Sequence, residues 1–299
     1  MLKGILGALL VWTLGAGIAA RADTDCKLGE RYLHLAHERL AAEEAGEAES
    51  LLRQAIDSCP SYDAYQTLGE VEARSPQRAE QEHAAEAFVA AHARAPSDGA
   101  RAKTLLHYAS LLNRDGDPQN AYPLIRDAQR YDPKNEEIAR LSTQIDRQVR
   151  NPTQLHILRG LYGSLYKPLQ SDGAAPAGGA SQAATGPSIN VPIDFVTGSV
   201  EIDEHSRANV ALMARALADP GHPQQRFLFV GHADLAGDEG RNLELSRRRA
   251  EAIYRSVIAL EPSLAGRIDC IGRGSTNPID AGRDESASKA NGRLQVLLN

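Results

Sequence analysis

An acidic and a basic residue stand on either side of one predicted turn, at a spacing that could serve chemistry. Asp234 follows a short apolar strand predicted at 226–231, and Arg249 lies about two turns into the helix predicted at 242–260. The strand, the turn and the helix can place both side chains in one pocket. On spacing alone, a structural salt bridge explains this pair at least as well as a binding site does.

Signals for catalysis are sparse in the sequence. It contains neither the G-x-S-x-G of serine hydrolases nor the H-E-x-x-H of zinc proteases. The glycine-rich run at 271–276 lacks the spacing and the lysine of a phosphate-binding loop. His232 has no second His or Cys at metal-ligand spacing, so a packing or capping role is expected for it. We therefore expect no catalytic residue, no metal site and no cofactor.

The charge balance excludes nucleic acid as the main partner. The chain has 299 residues with 33 Lys and Arg against 39 Asp and Glu, which gives a net charge of −6. Binding to phosphates needs a concentrated basic face, and this composition does not favour one.

The residues from 189 onward alternate between strand and helix patterns. The predicted strands are 189–195, 226–231, 267–272 and 294–298, and the predicted helices are 203–218 and 242–260. The order β-α-β-α-β-β implies an α+β two-layer sandwich with helices on one face of the sheet.

The predicted turn and the helix after it carry a set of residues at fixed spacing. They are Gly231, His232, Asp234, Gly237, Asn242, Leu245, Ser246, Arg249 and Ala250, followed by Gly272, Gly274 and Pro278. This set resembles the peptidoglycan-associating C-terminal domain of the OmpA family, whose signature is G-H-T-D, a glycine, N-x-x-L-S-x-x-R-A and then G-x-G-x-x-x-P. Ala233 replaces the Thr, Gly292 replaces the first Arg of the family's N-R-R, and Ser288 stands where another Arg is common.

The resemblance implies a ligand and a role for each site residue. The family's ligand is the diaminopimelate of the cell-wall stem peptide, whose side-chain end carries both an ammonium and a carboxylate. By this resemblance Asp234 takes the ammonium and Arg249 the carboxylate, to which a guanidinium can pair bidentately. Asn242 and the backbone near Ala233 and Arg293 complete the hydrogen bonds. The implied location is the periplasm or the outer membrane of a Gram-negative bacterium.

The residues from 27 to about 150 carry helical periodicity and an internal repeat. A small residue, a bulky residue, a small residue and a proline recur three times at offsets 0, 4, 7 and 12. The three sets are Ala48, Leu52, Ala55, Pro60; Ala84, Phe88, Ala91, Pro96; and Ala121, Ile125, Ala128, Pro133. Small residues let neighbouring helices approach, and the proline ends each helix.

This pattern resembles the tetratricopeptide repeat, a helix-turn-helix unit of about 34 residues. The resemblance implies an all-α domain over 27–168 with a surface that holds an unidentified protein partner. An unrelated alanine-rich bundle is the alternative. An apolar-patterned segment at 151–167 is expected to cap the repeats.

Two further segments divide the chain. Residues 1–22 have a positively charged start, an apolar stretch and small residues before Asp23, which is typical of a secretory signal peptide. An uncleaved anchor helix is the alternative. Most of the segment 169–188 lacks large apolar side chains, so we expect it to be a flexible linker. It would connect two domains, 27–168 and 189–299, and we expect these domains not to pack against each other.

An exported protein lies in an oxidising compartment, where cysteines pair. Cys26 and Cys59 lie 33 residues apart, at the predicted adjacent ends of a helical hairpin, and are candidates for a disulfide. Cys270 is expected to be a buried free thiol in a strand.

Together these features predict a noncatalytic envelope protein that binds peptidoglycan and presents a helical scaffold to a protein partner. Two alternatives stay open. One is an assembly or secretion adaptor with little or no wall binding, and the other is a cell-wall enzyme.

Overall fold

The computed structural model describes residues 25–169, 188–196, 199–279, 282 and 285–299. The chain divides after Pro96 into two compact units. The predicted signal peptide and almost all of the predicted linker lie outside the described residues, so both stay predictions.

The first unit consists of helices. Its described elements are α1 (25–41), α2 (Ala45–Ser58), α3 (Tyr62–Glu72) and α4 (Arg78–His92). The hydroxyl of Ser61 accepts a hydrogen bond from the Ala64 backbone N–H at 3.2 Å and so caps the start of α3. A core of small and aliphatic side chains, including Ala36, Leu52 and Leu68, holds these helices together.

A disulfide joins Cys26 in α1 to Cys59, which directly follows α2. The two Cα atoms are 4.7 Å apart, and Gly29 allows the close approach because a Cβ there would lie 3.0 Å from the Cβ of Cys59. The bond therefore fastens the start of one helix to the end of the next. Cys270 is free and half-buried in the second unit.

The second unit begins with four more helices, α5 (Asp98–Arg114), α6 (Pro118–Tyr131), α7 (Glu136–Arg150) and α8 (Gln154–Tyr162). Each starts at a polar residue whose side chain accepts a hydrogen bond from the first turn, in the order Ser97, Asp117, Asn135 and Thr153. Such caps satisfy backbone donors that have no partner within the helix.

The repeat pattern marks buried positions in both units. All nine of its small and bulky residues are at most 1% exposed: Ala48, Leu52, Ala55, Ala84, Phe88, Ala91, Ala121, Ile125 and Ala128. The prediction of a helix-rich N-terminal region is confirmed. Its tetratricopeptide type is not confirmed and stays a prediction.

The rest of the second unit contains a mixed four-stranded sheet. Its strands are β1 (Ser188–Val191), β2 (Phe227–Gly231), β3 (Ile268–Gly272) and β4 (Leu294–Leu298), in the spatial order β1-β4-β2-β3. β2 pairs parallel with β3 and antiparallel with β4, and β1 pairs antiparallel with β4. Helices α9 (Arg207–Leu217) and α10 (Glu239–Leu260) share a core with this sheet.

The observed elements differ from the predicted β-α-β-α-β-β in one added helix and in the length of the first strand. A short helix, α11 (Glu285–Asn291), lies between β3 and β4. It escaped prediction because a seven-residue helix is too short to show an apolar period. The first strand ends at Val191, and Phe195 forms only an isolated bridge with Ile202.

We predicted that the helical part and the α/β part of the chain do not pack against each other. Within the second unit this prediction is wrong, because α8 packs against the sheet. Ile157 and Leu161 of α8 are fully buried in the same core as Ile189 of β1 and Met213 of α9. Gly160 permits this packing, because a Cβ there would overlap the side chain of Ile189. The segment predicted to cap the repeats therefore also packs on the sheet.

In the part of the chain that the structure describes, every helix is too short or too polar to cross a lipid bilayer.

Candidate functional site

Two glycines at strand ends let α10 lie directly against the sheet. A Cβ on Gly231, the last residue of β2, would overlap the carbonyl oxygen of Ser246. A Cβ on Gly272, the last residue of β3, would lie 2.5 Å from the Leu243 carbonyl oxygen and 2.6 Å from the Arg247 amide nitrogen. The first turns of α10 are therefore held at the carboxyl ends of two parallel strands, where α/β proteins commonly bind ligands.

Two side chains of α10 fasten the neighbouring loops. The amide nitrogen of Asn242 donates to the carbonyl oxygens of Asp234 at 3.3 Å and Ala236 at 2.8 Å, and this residue is buried. The fully buried Ser246 hydroxyl accepts from the Gly274 N–H at 2.9 Å and donates to the Leu243 carbonyl at 2.8 Å. Both loops at this edge are thus tied to the helix that carries Arg249.

Asp234 lies half-buried in the loop that follows β2. Its Oδ1 accepts a hydrogen bond from the Ala236 N–H at 3.0 Å, and its Oδ2 accepts from the Ser288 hydroxyl at 2.7 Å. Both partners are uncharged, so the negative charge of Asp234 is oriented without being neutralised.

Arg249 points toward the same region from α10. Its Nε donates to the Ser199 carbonyl at 3.2 Å, and its guanidinium carbon lies 4.6 Å from the centre of the Phe195 ring. Partial burial lowers the pKa of the guanidinium, and the nearby negative charge of Asp234 raises it. Its contacts are thus a carbonyl and an aromatic face, both of which attract a cation.

The structure brings Asp234 and Arg249 together without pairing them. Their charges act on each other, yet among the described residues no ion pair joins them. The two side chains therefore present one negative and one positive group in the same region.

The backbone groups predicted to complete the site are engaged in the fold. The Ala233 N–H donates to the Gly274 carbonyl at 2.8 Å, and the Arg293 carbonyl accepts from the His232 N–H at 3.0 Å. These hydrogen bonds set the position of the loop that begins at His232.

The Arg293 side chain is buried among neutral acceptors. Its guanidinium donates to the side chain of Asn190 at 2.9 Å and to the carbonyls of Asn291 at 3.2 Å and Asn277 at 3.1 Å. Burial lowers the pKa of Arg293 to about 9. These contacts join β1, β4 and the loop before α11, which is a positioning role.

His232 is a buried, uncharged residue below this loop. Its Nε2 lies 3.1 Å from Oε1 of Gln295, and its Nδ1 has no hydrogen-bond partner among the described residues. Burial, followed by the charge of Arg293, lowers the pKa of His232 to about 3. In the described residues no group of three His, Cys, Asp or Glu side chains could hold a metal ion.

Part of this chain matches a known protein family. Residues 194–292 match the profile of the OmpA family. These residues form an OmpA family domain.

Individual relatives resemble this part of the chain as well. Over 72 residues the chain is 29% identical to the peptidoglycan-associated lipoprotein of Pseudomonas aeruginosa. The aligned residues make up 24% of this chain and 42% of the relative. It therefore spans less than half the length of that relative.

Two solved structures give similar matches. One is the peptidoglycan-associated lipoprotein of Burkholderia pseudomallei, at 27% identity and a TM-score of 0.32, covering 38% of this chain and 89% of that one. The other is an outer membrane protein of Borrelia burgdorferi, at 25% identity and a TM-score of 0.31, covering 38% and 88%.

Three partners of the charged pair in the OmpA family domain were not assigned from the sequence. Phe195 and Ser199 contact Arg249 from 54 and 50 positions away, and no local pattern marks them. Ser288 was noted only as a departure from a common Arg, yet it is the residue that holds Oδ2 of Asp234.

Proposed function

We propose that this chain is a noncatalytic cell-envelope protein that binds peptidoglycan through its OmpA family domain. Asp234 binds the ammonium and Arg249 the carboxylate at the side-chain end of diaminopimelate in the stem peptide. The match at 194–292 and the similarity to a peptidoglycan-associated lipoprotein support this function.

The observation that carries the proposal is the pair of opposite charges that share a site but do not pair. Asp234 is held by an N–H and a hydroxyl, and Arg249 by a carbonyl and a ring. A ligand with one ammonium and one carboxylate supplies the missing partner to each. Because both groups are already oriented, little conformational entropy is lost when the ligand binds.

Partial burial strengthens both contacts. Charges interact more strongly where water is excluded, and a planar guanidinium can take a carboxylate through two parallel hydrogen bonds. A ligand carboxylate would also offset the desolvation that lowers the pKa of Arg249.

The other predicted site residues serve as supports in this proposal. Asn242 holds the loop that carries Asp234, while Ala233 and Arg293 fix its start through the hydrogen bonds described above. The absence of a threonine hydroxyl at Ala233 leaves that backbone hydrogen bond in place.

The proposed location is the periplasm of a Gram-negative bacterium, in association with peptidoglycan or the outer membrane. In the same proposal the helical region presents a surface to a partner protein.

Co-sedimentation with purified sacculi tests the wall-binding function. The wild-type chain is expected to pellet with sacculi, while Asp234→Ala and Arg249→Ala stay in the supernatant. Arg248→Ala is the matched control, because Arg248 is an exposed neighbour on α10. Full retention by both site variants would contradict the assignment.

Sacculi that carry lysine in place of diaminopimelate test the ligand chemistry. Lysine keeps the ammonium but lacks the side-chain carboxylate, so we expect binding to fall by roughly tenfold or more. Equal binding to both kinds of sacculi would contradict the proposed role of Arg249 in binding the ligand carboxylate. Failure of the wild-type chain to bind either wall would favour the adaptor, and release of muropeptides by the pure protein would favour an enzyme.

A further inference from the structure

A groove lies on the second unit between α9, α10 and the segment 200–202. Its volume is about 510 Å³, and most of the side chains that line it are apolar. Asp234 and Arg249 are not among its lining residues. The groove is therefore a surface feature that the proposed wall-binding site does not use.

Small side chains form much of this groove. Ala252, Ser256 and Ala259 lie at helical spacing on one face of α10, and Ala211 of α9 lines the same groove. The Ser256 hydroxyl donates to the Ala252 carbonyl at 3.1 Å, so it needs no partner from outside. Small side chains on neighbouring helices leave a depression that a bulky side chain can enter.

An exposed leucine borders the depression. Leu260, the last residue of α10, lines the groove and is 52% exposed. A single exposed leucine is common on protein surfaces. The position of this one is informative, because in packed helices a leucine of one helix enters a hole between side chains of another. The same surface thus carries both a bulky side chain and a depression that can receive one.

Two opposite charges also line the groove. Glu201 and Arg207 are exposed, and neither forms an ion pair within the described part of the chain. Arg207 has only a small electrostatic effect on Asp203, which is hydrogen-bonded to His205. A partner surface of one sign would place a like charge against either Glu201 or Arg207, which is unfavourable. The occupant of the groove should therefore carry both signs.

A second copy of the chain has all of the complementary features. In a twofold interface, residue i of one copy contacts residue j of the other, and j contacts i. Leu260 of each copy can then enter the depression of the other, while Glu201 of each pairs with Arg207 of the other. The segment 170–187 of the same chain contains no large apolar side chain, so it cannot fill the groove in this way.

We propose that this groove is a twofold interface between two copies of the chain, with Leu260 in the depression and Glu201 opposite Arg207 of the second copy. The leucine contributes apolar burial, and the two charge pairs fix the orientation. If the proposed wall-binding function holds, the pair carries two wall sites and binds sacculi more tightly than one chain does.

Sedimentation equilibrium of the full chain tests the pairing without any wall material. The weight-average mass is expected to rise toward twice that of one chain between about 1 and 100 µM, as for a small, weak interface. Leu260→Ala should raise the dissociation constant by roughly tenfold or more, because it removes the central apolar side chain. Leu155→Ala removes an exposed leucine outside the groove and should leave the dissociation constant unchanged.

An exchange of charges tests the twofold arrangement. Glu201→Arg places like charges opposite each other at both symmetric contacts, and Arg207→Glu does the same with the other sign, so each variant alone should be a monomer. In an equimolar mixture the two variants are complementary at both contacts and should associate as the wild type does. Arg215→Glu is the matched control, because Arg215 is an exposed residue of α9 outside the groove.

Several results would overturn the proposal. A wild-type chain that stays monomeric to about 100 µM would do so, and would leave the groove to a different protein. Wild-type association of either charge variant alone, or a mixture of the two that stays monomeric, would contradict the twofold contacts. Loss of association in Cys270→Ser would identify a disulfide between copies in their place. Wall binding is measured separately, so a monomer that pellets with sacculi overturns the pairing and leaves the proposed function intact.

Discussion

His232 is held neutral inside the protein, one residue after β2 and two before Asp234. Its pKa of about 3 lies far below the ordinary value of 6.5, because burial and the charge of Arg293 disfavour the imidazolium. In the unfolded chain the imidazole takes up a proton at its ordinary pKa, whereas in the folded chain it does not. The contribution of neutral His232 to the free energy of unfolding therefore has its full value above pH 6.5. It decreases as the pH falls from 6.5 toward 3.

We predict that acid destabilises the second unit partly through this residue. Between pH 7 and pH 4 the contribution of His232 to the loss of unfolding free energy is at most about 3 kcal/mol. Urea unfolding across this range measures it. His232→Gln cannot titrate, so its pH dependence should be shallower. Parallel curves for the two proteins would rule out a neutral buried imidazole.

At this scale the sequence identifies the charged pair but not its surroundings. Asp234 and Arg249 belong to one signature and are close in sequence, so their spacing predicts a shared pocket. Their partners Ser288 and Phe195 come from distant segments, which meet only when the sheet forms. Sequence spacing carries no information about such contacts. The groove between α9 and α10 was also beyond prediction, because it depends on how these two helices pack.

The packing of α10 on the sheet depends on glycine at the strand ends. We predict that Gly272→Ala destabilises the second unit by about 3 kcal/mol or more, because the added Cβ meets backbone atoms that cannot move aside. Gly99→Ala is the control within the same unit, since a Cβ there meets only Ser97 Oγ at 3.9 Å. The control should stay within about 1 kcal/mol of wild type in urea unfolding. Equal stability of the two variants would contradict the close approach.

The disulfide acts on the pair α1 and α2. Closing a loop of 33 residues contributes about 3–4 kcal/mol in the chain-entropy picture. We predict that reduction lowers amide hydrogen-exchange protection in α1 and α2 and leaves α10 unchanged.

Cys270→Ser is the control for this experiment, because Cys270 is the free thiol of the second unit. The variant should respond to reductant as the wild type does. Unchanged protection of α1 after complete reduction would show that packing alone holds the hairpin.

At the scale of elements, long periodic segments were predictable and short ones were not. The helices α9 and α10 and the strands β2 to β4 follow from apolar period and flanking turn residues. The helix α11 has seven residues and no apolar stripe, so nothing in its pattern distinguished it from a loop. The predicted β1 extends too far. The alternation of apolar and polar residues continues to Phe195, but the hydrogen-bonded pairing with β4 ends at Val191.

At the scale of the whole molecule, α8 connects the helices of the second unit to its sheet. Its amphipathic pattern was visible, but a single sequence does not say which partner covers an apolar face. The structure assigns that face to the core around Ile189 and Met213.

We predict that Leu161→Ala lowers the unfolding free energy by about 2–5 kcal/mol, with loss of hydrogen-exchange protection in both α8 and α9. Leu155→Ala is the matched control, because Leu155 lies on the same helix and is 64% exposed. This control should change the unfolding free energy by less than about 0.5 kcal/mol. Loss of protection in α8 alone would contradict a core shared by α8 and α9.

The contact between α8 and β1 also has a mechanical consequence. The described residues up to 169 and from 188 onward belong to one compact unit, so the peptide between them joins two parts that side-chain packing also holds together. A force applied at Asp234 would reach α8 through packed side chains such as Ile157 and Ile189. Cutting the chain in this stretch should therefore leave the two pieces bound to each other.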